Sequence, residues 1–149
     1  MKVKIINKSG NPAPEYAKPG DSGMDLRAYL PDGPVTLKPL ERKLIHTGIY
    51  VCIPEWYEIQ IRPRSGAALK YGLTVINTPG TIDSSYRKYD IGIIVINLSS
   101  EYITIDNGDR IAQMVLMKIE NLEPEIVDEF TESDLKIDRG GGYGHTGIN

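Results

Sequence analysis

The sequence predicts an all-β domain, a sandwich or barrel of short strands with one brief helix. Ile occurs 20 times and Ala 6 times. That bias favours β-branched side chains, whose restricted χ1 suits a pleated strand better than a helix. Fifteen glycines and ten prolines among 149 residues demand many turns. Runs of alternating or β-branched residues recur between those turns. A mass of 16.6 kDa fits one domain with one core.

Taken in order, Val3 to Ile6 reads as the first strand, broken by Asn11-Pro12-Ala13-Pro14. Met24 to Tyr29 is the second, ended by the turn Pro31-Asp32-Gly33-Pro34. Val35 to Leu37 is short, and Glu41 to Ile53 is one long strand stopped by Pro54. Trp56 to Arg62 alternates, with Trp56, Glu58 and Gln60 on one face and Tyr57, Ile59 and Ile61 on the other. A helix of one to two turns is expected near Ala67 to Tyr71, closed by Gly72. Thr74 to Asn77, Ile91 to Leu98, Tyr102 to Ile105, Arg110 to Ile119 and Glu125 to Glu129 complete the strands. No internal repeat is visible.

Composition excludes several classes of function. Hydrophobic residues are 40% and charged residues 25%, the profile of a globular chain. One cysteine, Cys52, excludes an intrachain disulfide and a cysteine zinc cluster, and its apolar strand predicts an inert core position. Two histidines, His46 and His145, exclude a multi-histidine metal site, and His46 has no motif around it. A net charge of −3 argues against sequence-independent nucleic-acid binding. The longest apolar run, Ile93-Ile94-Val95-Ile96, is too short to span a membrane, and Met1 to Ile6 shows no signal-peptide pattern. A cytoplasmic protein is expected. Residues 138–149 hold 5 of the 15 glycines and almost no core-forming side chains, so a mobile tail is expected after a domain of residues 1–137.

Five stretches combine glycine with polar or charged residues. They are Pro19-Gly20-Asp21-Ser22-Gly23-Met24-Asp25-Leu26-Arg27-Ala28; Arg62-Pro63-Arg64-Ser65-Gly66; Asn77-Thr78-Pro79-Gly80-Thr81-Ile82-Asp83-Ser84-Ser85-Tyr86-Arg87; Asn107-Gly108-Asp109-Arg110-Ile111-Ala112-Gln113; and Arg139-Gly140-Gly141-Gly142-Tyr143-Gly144-His145-Thr146-Gly147. Arg64-Ser65-Gly66 can bind an anion, because glycine lets the backbone approach closely and Ser65 supplies a hydroxyl. Alone, each stretch has a plainer reading: an Arg-Ser-Gly turn, an aspartate cap, a packing tyrosine, a frayed end.

In this order and spacing the five stretches resemble the five motifs of the homotrimeric deoxyuridine triphosphatases (dUTPases), from about Pro19 to Gly147. The resemblance implies a jelly-roll fold and hydrolysis of dUTP to dUMP and pyrophosphate, with Mg²⁺ on the triphosphate. That activity limits uracil incorporation into DNA and supplies dUMP for thymidylate synthesis. Asp83 would position and activate the water that attacks the α-phosphorus. Asp25 would hold the metal through its water shell, as suits an ion that dehydrates reluctantly. Asn77 and the backbone of Gly80, Thr81 and Ile82 would read the uracil edge, and Tyr86 would stack on the deoxyribose and exclude a 2′-hydroxyl. Arg64, Ser65, Gly66 and Gln113 form the phosphate-contacting set, while Asp109 and Arg110 fit a structural or a functional role equally. Residues 138–149 would close as a lid, with Arg139 and Thr146 on the γ-phosphate and Tyr143 on the uracil. The family's sites lie between subunits, which implies a homotrimer with three shared sites.

Three positions depart from the family pattern. Tyr143 replaces the usual Phe, and His145 replaces a serine, either as a phosphate donor or as a neutral substitution. Lys88-Tyr89-Asp90 follows Tyr86-Arg87 where glycine is usual, so the turn there is expected to differ in shape. Two rivals share the fold. A dCTP deaminase needs a glutamate on the strand Ile91 to Asn97, which carries no acidic residue. A non-catalytic nucleotide-binding regulatory module is opposed by the presence of Asp83, Asp25, Arg64 and the whole tail.

Overall fold

The computed structural model describes residues 1–138. It is an all-β, jelly-roll-like fold of eleven strands with one short helix. In chain order these are β1 (Lys4–Asn7), β2 (Met24–Arg27), β3 (Val35–Leu37), β4 (Arg42–His46), β5 (Ile49–Cys52), β6 (Tyr57–Arg62), α1 (Ser65–Tyr71), β7 (Leu73–Val75), β8 (Gly80–Ile82), β9 (Gly92–Asn97), β10 (Ile103–Ile105) and β11 (Arg110–Lys118). A 3₁₀ turn at Asp134–Ile137 follows.

All strand pairs are antiparallel. The largest sheet has the order β2-β11-β6-β8, and a second has the order β4-β9-β7. Two further pairs, β1 with β5 and β10 with β3, close the ends. The core is aliphatic: Leu26, Leu37, Ile45, Ile53, Ile61, Ile91, Ile93, Ile105, Ile111 and Met114 are fully buried. In β6 the two-residue period places Ile59 and Ile61 inward, as the alternation predicts. Asn97 is a polar side chain buried completely. Its amide donates to the carbonyls of Leu37 (3.1 Å) and Glu101 (2.7 Å), and its oxygen accepts from the Ser99 N–H (2.9 Å) and hydroxyl (2.8 Å). With all four bonds made, it ties the end of β9 to β3 and to the turn before β10.

Several element boundaries differ from expectation. The predicted strand Glu41 to Ile53 is two strands, because the chain turns at Thr47-Gly48 with Gly48 at φ +66°. A side chain at Gly48 would also press against the backbone of Ser9, at 2.9 Å from its nitrogen. The predicted Thr74 to Asn77 strand lies at Leu73–Val75, and α1 begins two residues earlier than expected, at Ser65. β8 was not foreseen. Trp56 is no strand residue: it turns the chain at φ 68° and is exposed. Glu125 to Glu129 is no strand either, and residues 120–138 are exposed throughout. Cys52 is only half-buried, because strand alternation gives the inward positions to Val51 and Ile53.

Candidate active site

The five stretches fall into two groups within one chain. The first gathers around Asp25 on β2. The register places Asp25 opposite Gln113 of β11, and Gln113 opposite Arg62 of β6. Pro63 and Arg64 leave β6 at that end of the sheet, and α1 starts immediately after them. Arg64 Nε donates to Asp25 Oδ1 at 2.7 Å, and Arg64 Nη1 donates to the Arg110 carbonyl at 3.1 Å. Arg110 Nη1 approaches the other carboxylate oxygen at 3.4 Å. Gln113 Nε2 donates to the Pro63 carbonyl at 3.0 Å. One carboxylate therefore fixes two guanidinium groups, and each keeps donors directed elsewhere.

Glycines make room here. A methyl group on Gly23 would collide with Gln113 Oε1, so only glycine leaves that amide in place. Gly66 is different: a Cβ there would meet open space, so the fold itself does not require glycine at the exposed first turn of α1. Ser65 beside it is also exposed. A groove of about 710 Å³ adjoins this group, with Arg64, Lys70, Tyr71, Tyr102, Asp109 and Arg110 among its walls. Sequence left Asp109 and Arg110 undivided. Asp109 Oδ2 accepts the Asp106 N–H at 2.9 Å and so shapes the turn before β11. Arg110 joins the Asp25 cluster instead. A β-bulge between Arg110 and Ala112 accompanies that placement. Bulges leave no reliable mark in sequence, so this assignment was not legible.

The second group is the segment 77–87. β8 lies at the edge of its sheet and pairs only with β6: Gly80 with Ile61, Thr81 with Gln60, Ile82 with Ile59. Its outer backbone groups have no partner strand. β8 also lines a slot of about 40 Å³, walled by Ile61, Val75, Asn77, Gly80 to Ile82 and Gly92 to Ile94. A Cβ on Gly80 would sit 3.2 Å from the Ile61 Cβ and 3.4 Å from Asn77 Nδ2, crowding both. Thr78-Pro79 is a cis peptide, and the Thr78 hydroxyl donates to the Val75 carbonyl. Asp83 follows β8 and is exposed. The Tyr86 N–H closes a turn on the Asp83 carbonyl at 3.0 Å, and the half-buried Tyr86 ring packs on the core.

The two groups do not meet within one chain. Asp25 and Asp83 lie three strands and about four rows apart in the β2-β11-β6-β8 sheet. At ~4.8 Å per strand and ~3.4 Å per residue, the separation is roughly 20 Å. Arg139, Tyr143, His145 and Thr146 lie outside the described residues, as does the predicted lid. No helix of the described residues is long and apolar enough to cross a membrane.

A family model described as dUTPase matches residues 10–147. Deoxyuridine 5′-triphosphate nucleotidohydrolase of Finegoldia magna is 60% identical over 150 residues, covering 99% of each chain. The protein of that name from Fusobacterium nucleatum is 49% identical, covering 99% of this chain and 97% of its own. Among solved structures, a Staphylococcus bacteriophage 80alpha dUTPase mutant with dUpNHpp superposes with a TM-score of 0.81 at 26% identity, covering 99% of both chains. A mutant dUTPase from phage phi11 of S. aureus, whose structure reveals the coordination of a structural Mg(II) ion, gives a TM-score of 0.77 at 25% identity, covering 87% of this chain and 99% of its own. The match takes in all five stretches, both halves of the site and the fold that holds them apart, and by that measure the chain belongs to the dUTPase family.

Proposed function

We propose that the chain hydrolyses dUTP to dUMP and pyrophosphate, at sites completed between three copies of itself. The observation that carries this reading is the slot lined by β8, a strand with a free edge. A pyrimidine edge needs alternating donors and acceptors, and an unpaired strand edge presents them in a fixed row. Asn77 beside it supplies one more donor and acceptor. Cytosine would place its amine donor against a donor, leaving buried groups unpaired at ~1–3 kcal/mol each. The slot is little larger than the ~30 Å³ share of one water, so it takes only the edge of a base, and the rest of the ring needs a wall from outside it. The Tyr143 ring is our candidate for it.

Asp83 is the candidate general base, because an exposed carboxylate can reach a water directly. The water oxygen bonds to the α-phosphorus, the α–β bridging P–O bond breaks, and pyrophosphate leaves. Arg64, Ser65, Gly66, Gln113 and the tail residues Arg139, His145 and Thr146 are proposed to hold the phosphates, the two arginines by planar forks. Arg110 is added to this set on its geometry. Among the described residues no group of three or more His, Cys, Asp or Glu could cage a metal. That fits a hydrated Mg²⁺ carried by the triphosphate, with Asp25 reaching only its waters, since both carboxylate oxygens already accept from arginine. When bound, the ion neutralises charge on the phosphate oxygens.

The gap between the two half-sites supports a shared site, because no single chain brings Asp83 to Arg64. Exposed apolar side chains support assembly: Leu44, Leu69, Tyr71 and Tyr102 on the body, and Leu122, Ile126, Val127 and Phe130 on the extended stretch after β11. The division into a domain of residues 1–137 and a lid of residues 138–149 belongs to the same proposal, as does a cytoplasmic location. A deaminase finds no carboxylate on β9, and the nearest acid, Asp90, is fully engaged by the β4–β5 turn. Pyrophosphate release measured with dUTP, dTTP, dCTP and UTP, with and without Mg²⁺, tests the reading. Turnover of dUTP alone is expected. Ammonia release from dCTP, or no turnover of any of the four, would overturn it.

A further inference from the structure

Two of the three residues that follow Tyr86-Arg87 where the family pattern is broken, Tyr89 and Asp90, contact Tyr86. The Tyr86 hydroxyl donates to the Asp90 carbonyl at 3.0 Å. The Tyr89 ring lies 6.2 Å from the Tyr86 ring, centroid to centroid, at 46°. Both contacts restrict rotation of Tyr86 about its side-chain torsions. Burial, with Asp90 and Tyr89 close by, raises the Tyr86 pKa, so the phenol stays protonated and donates.

Asp90 is itself anchored. Its carboxylate is 13% exposed. Oδ2 accepts the N–H groups of Thr47 (3.1 Å) and Gly48 (2.8 Å), and Oδ1 meets His46 Nδ1 at 2.9 Å. The next residue repeats the attachment: the Ile91 N–H donates to the Ile49 carbonyl at 2.8 Å, and the Thr47 hydroxyl donates to the Ile91 carbonyl at 2.7 Å. The β4–β5 turn is held in turn by the end of β1, where Asn7 pairs with Ile49 and the N–H of Lys8, just after the strand, donates to the Gly48 carbonyl at 2.8 Å. A continuous set of contacts thus runs from β1 through the β4–β5 turn and Asp90 to the Tyr86 hydroxyl.

We propose that Tyr89 and Asp90 are positioning residues for sugar specificity: they brace Tyr86 where its ring meets the deoxyribose. The proposal rests on reading Tyr86 as the sugar contact. A ring that distinguishes hydrogen from hydroxyl at the 2′ position rejects ribose only if it cannot yield to the extra atom. A tyrosine tethered at its hydroxyl and flanked by a neighbouring ring rotates aside less readily than an unbraced one.

The test is the ratio of kcat/KM for dUTP to that for UTP, measured on the full-length enzyme. Tyr86→Phe removes the hydroxyl bond, and Tyr89→Ala removes the ring contact. Each is expected to lower the ratio about fivefold, mainly by admitting UTP, with Tyr89→Phe restoring the parental value. Asp90→Ala is expected to lower it at least as much. Because that variant also loses three contacts to the β4–β5 turn, Tyr86→Phe and Tyr89→Ala decide the matter if it does not fold. Tyr86→Ala separates the two readings. A ratio unchanged by Tyr86→Ala removes the sugar contact, and the brace with it. A ratio that falls in Tyr86→Ala but stays within twofold of the parent in both Tyr86→Phe and Tyr89→Ala overturns the brace alone.

Discussion

Replacing Arg64 by lysine keeps the charge and changes only the geometry, so it isolates what the guanidinium contributes. Arg64 donates from Nε to Asp25 and from Nη1 to the Arg110 carbonyl, while its remaining N–H groups stay available to a phosphate. One ammonium cannot serve all three, because its donors leave from a single atom. The Arg64 and Asp25 side chains are 27% and 34% exposed, so losing their contact should cost about 1 kcal/mol or less. That corresponds to a fall of roughly 2–4 °C in Tm for a domain of this size. A charge-assisted hydrogen bond to phosphate is worth about 1.5–3 kcal/mol, or roughly 10- to 150-fold in kcat/KM. Initial rates of pyrophosphate release from dUTP, with a thermal melt on the same preparation, read both quantities. A large fall in kcat/KM beside a small fall in Tm is expected. A kcat/KM within threefold of the parent would refute the assignment of Arg64 to the phosphate.

Asp83→Asn should retain dUTP binding and lose turnover by about 10²- to 10⁴-fold, and near-normal rates would remove Asp83 from its role. Deleting residues 139–149 should cripple catalysis and leave the sedimentation of the assembly unchanged; a dispersed monomer would make the tail structural instead. Asn97→Ala removes three hydrogen bonds that nothing replaces, since the Ser99 hydroxyl still reaches the Glu101 carbonyl. At about 1 kcal/mol each the loss is ~3 kcal/mol, seen in denaturant unfolding at fixed protein concentration. A loss below ~1 kcal/mol would show that the bonds contribute less than their burial suggests.

The strand with strict alternation, β6, was legible because a buried face imposes a period of two. The split between β4 and β5 was not, since Ile45, Ile49, Tyr50 and Val51 read as one run and only Gly48 marks the turn. β8 was hidden for a related reason: three residues that begin with glycine and follow proline carry almost no strand signal. Glu125 to Glu129 misled in the other direction. Its β-branched pair Ile126-Val127 suits a strand, but a strand needs a partner, and its own chain supplies none among the described residues. At the site, the five stretches were legible as local glycine-rich patterns. What local pattern could not reveal depends on distant contact: Arg110 reaches Asp25 across 85 positions, and Asp90 reaches the β4–β5 turn across 42 to 44.

The ~20 Å between Asp25 and Asp83 has a genetic consequence. If a site takes its carboxylate base from one copy and its phosphate arginine from another, two defective chains can repair each other. Mixed after joint unfolding and reassembly, Asp83→Asn and Arg64→Lys chains would pair an intact half from each parent. In a random threefold mixture, about one site in four would carry both intact halves. Two alleles of such a protein would then behave as complementing rather than additive defects, and the loss from either change would depend on what else the cell supplies for assembly.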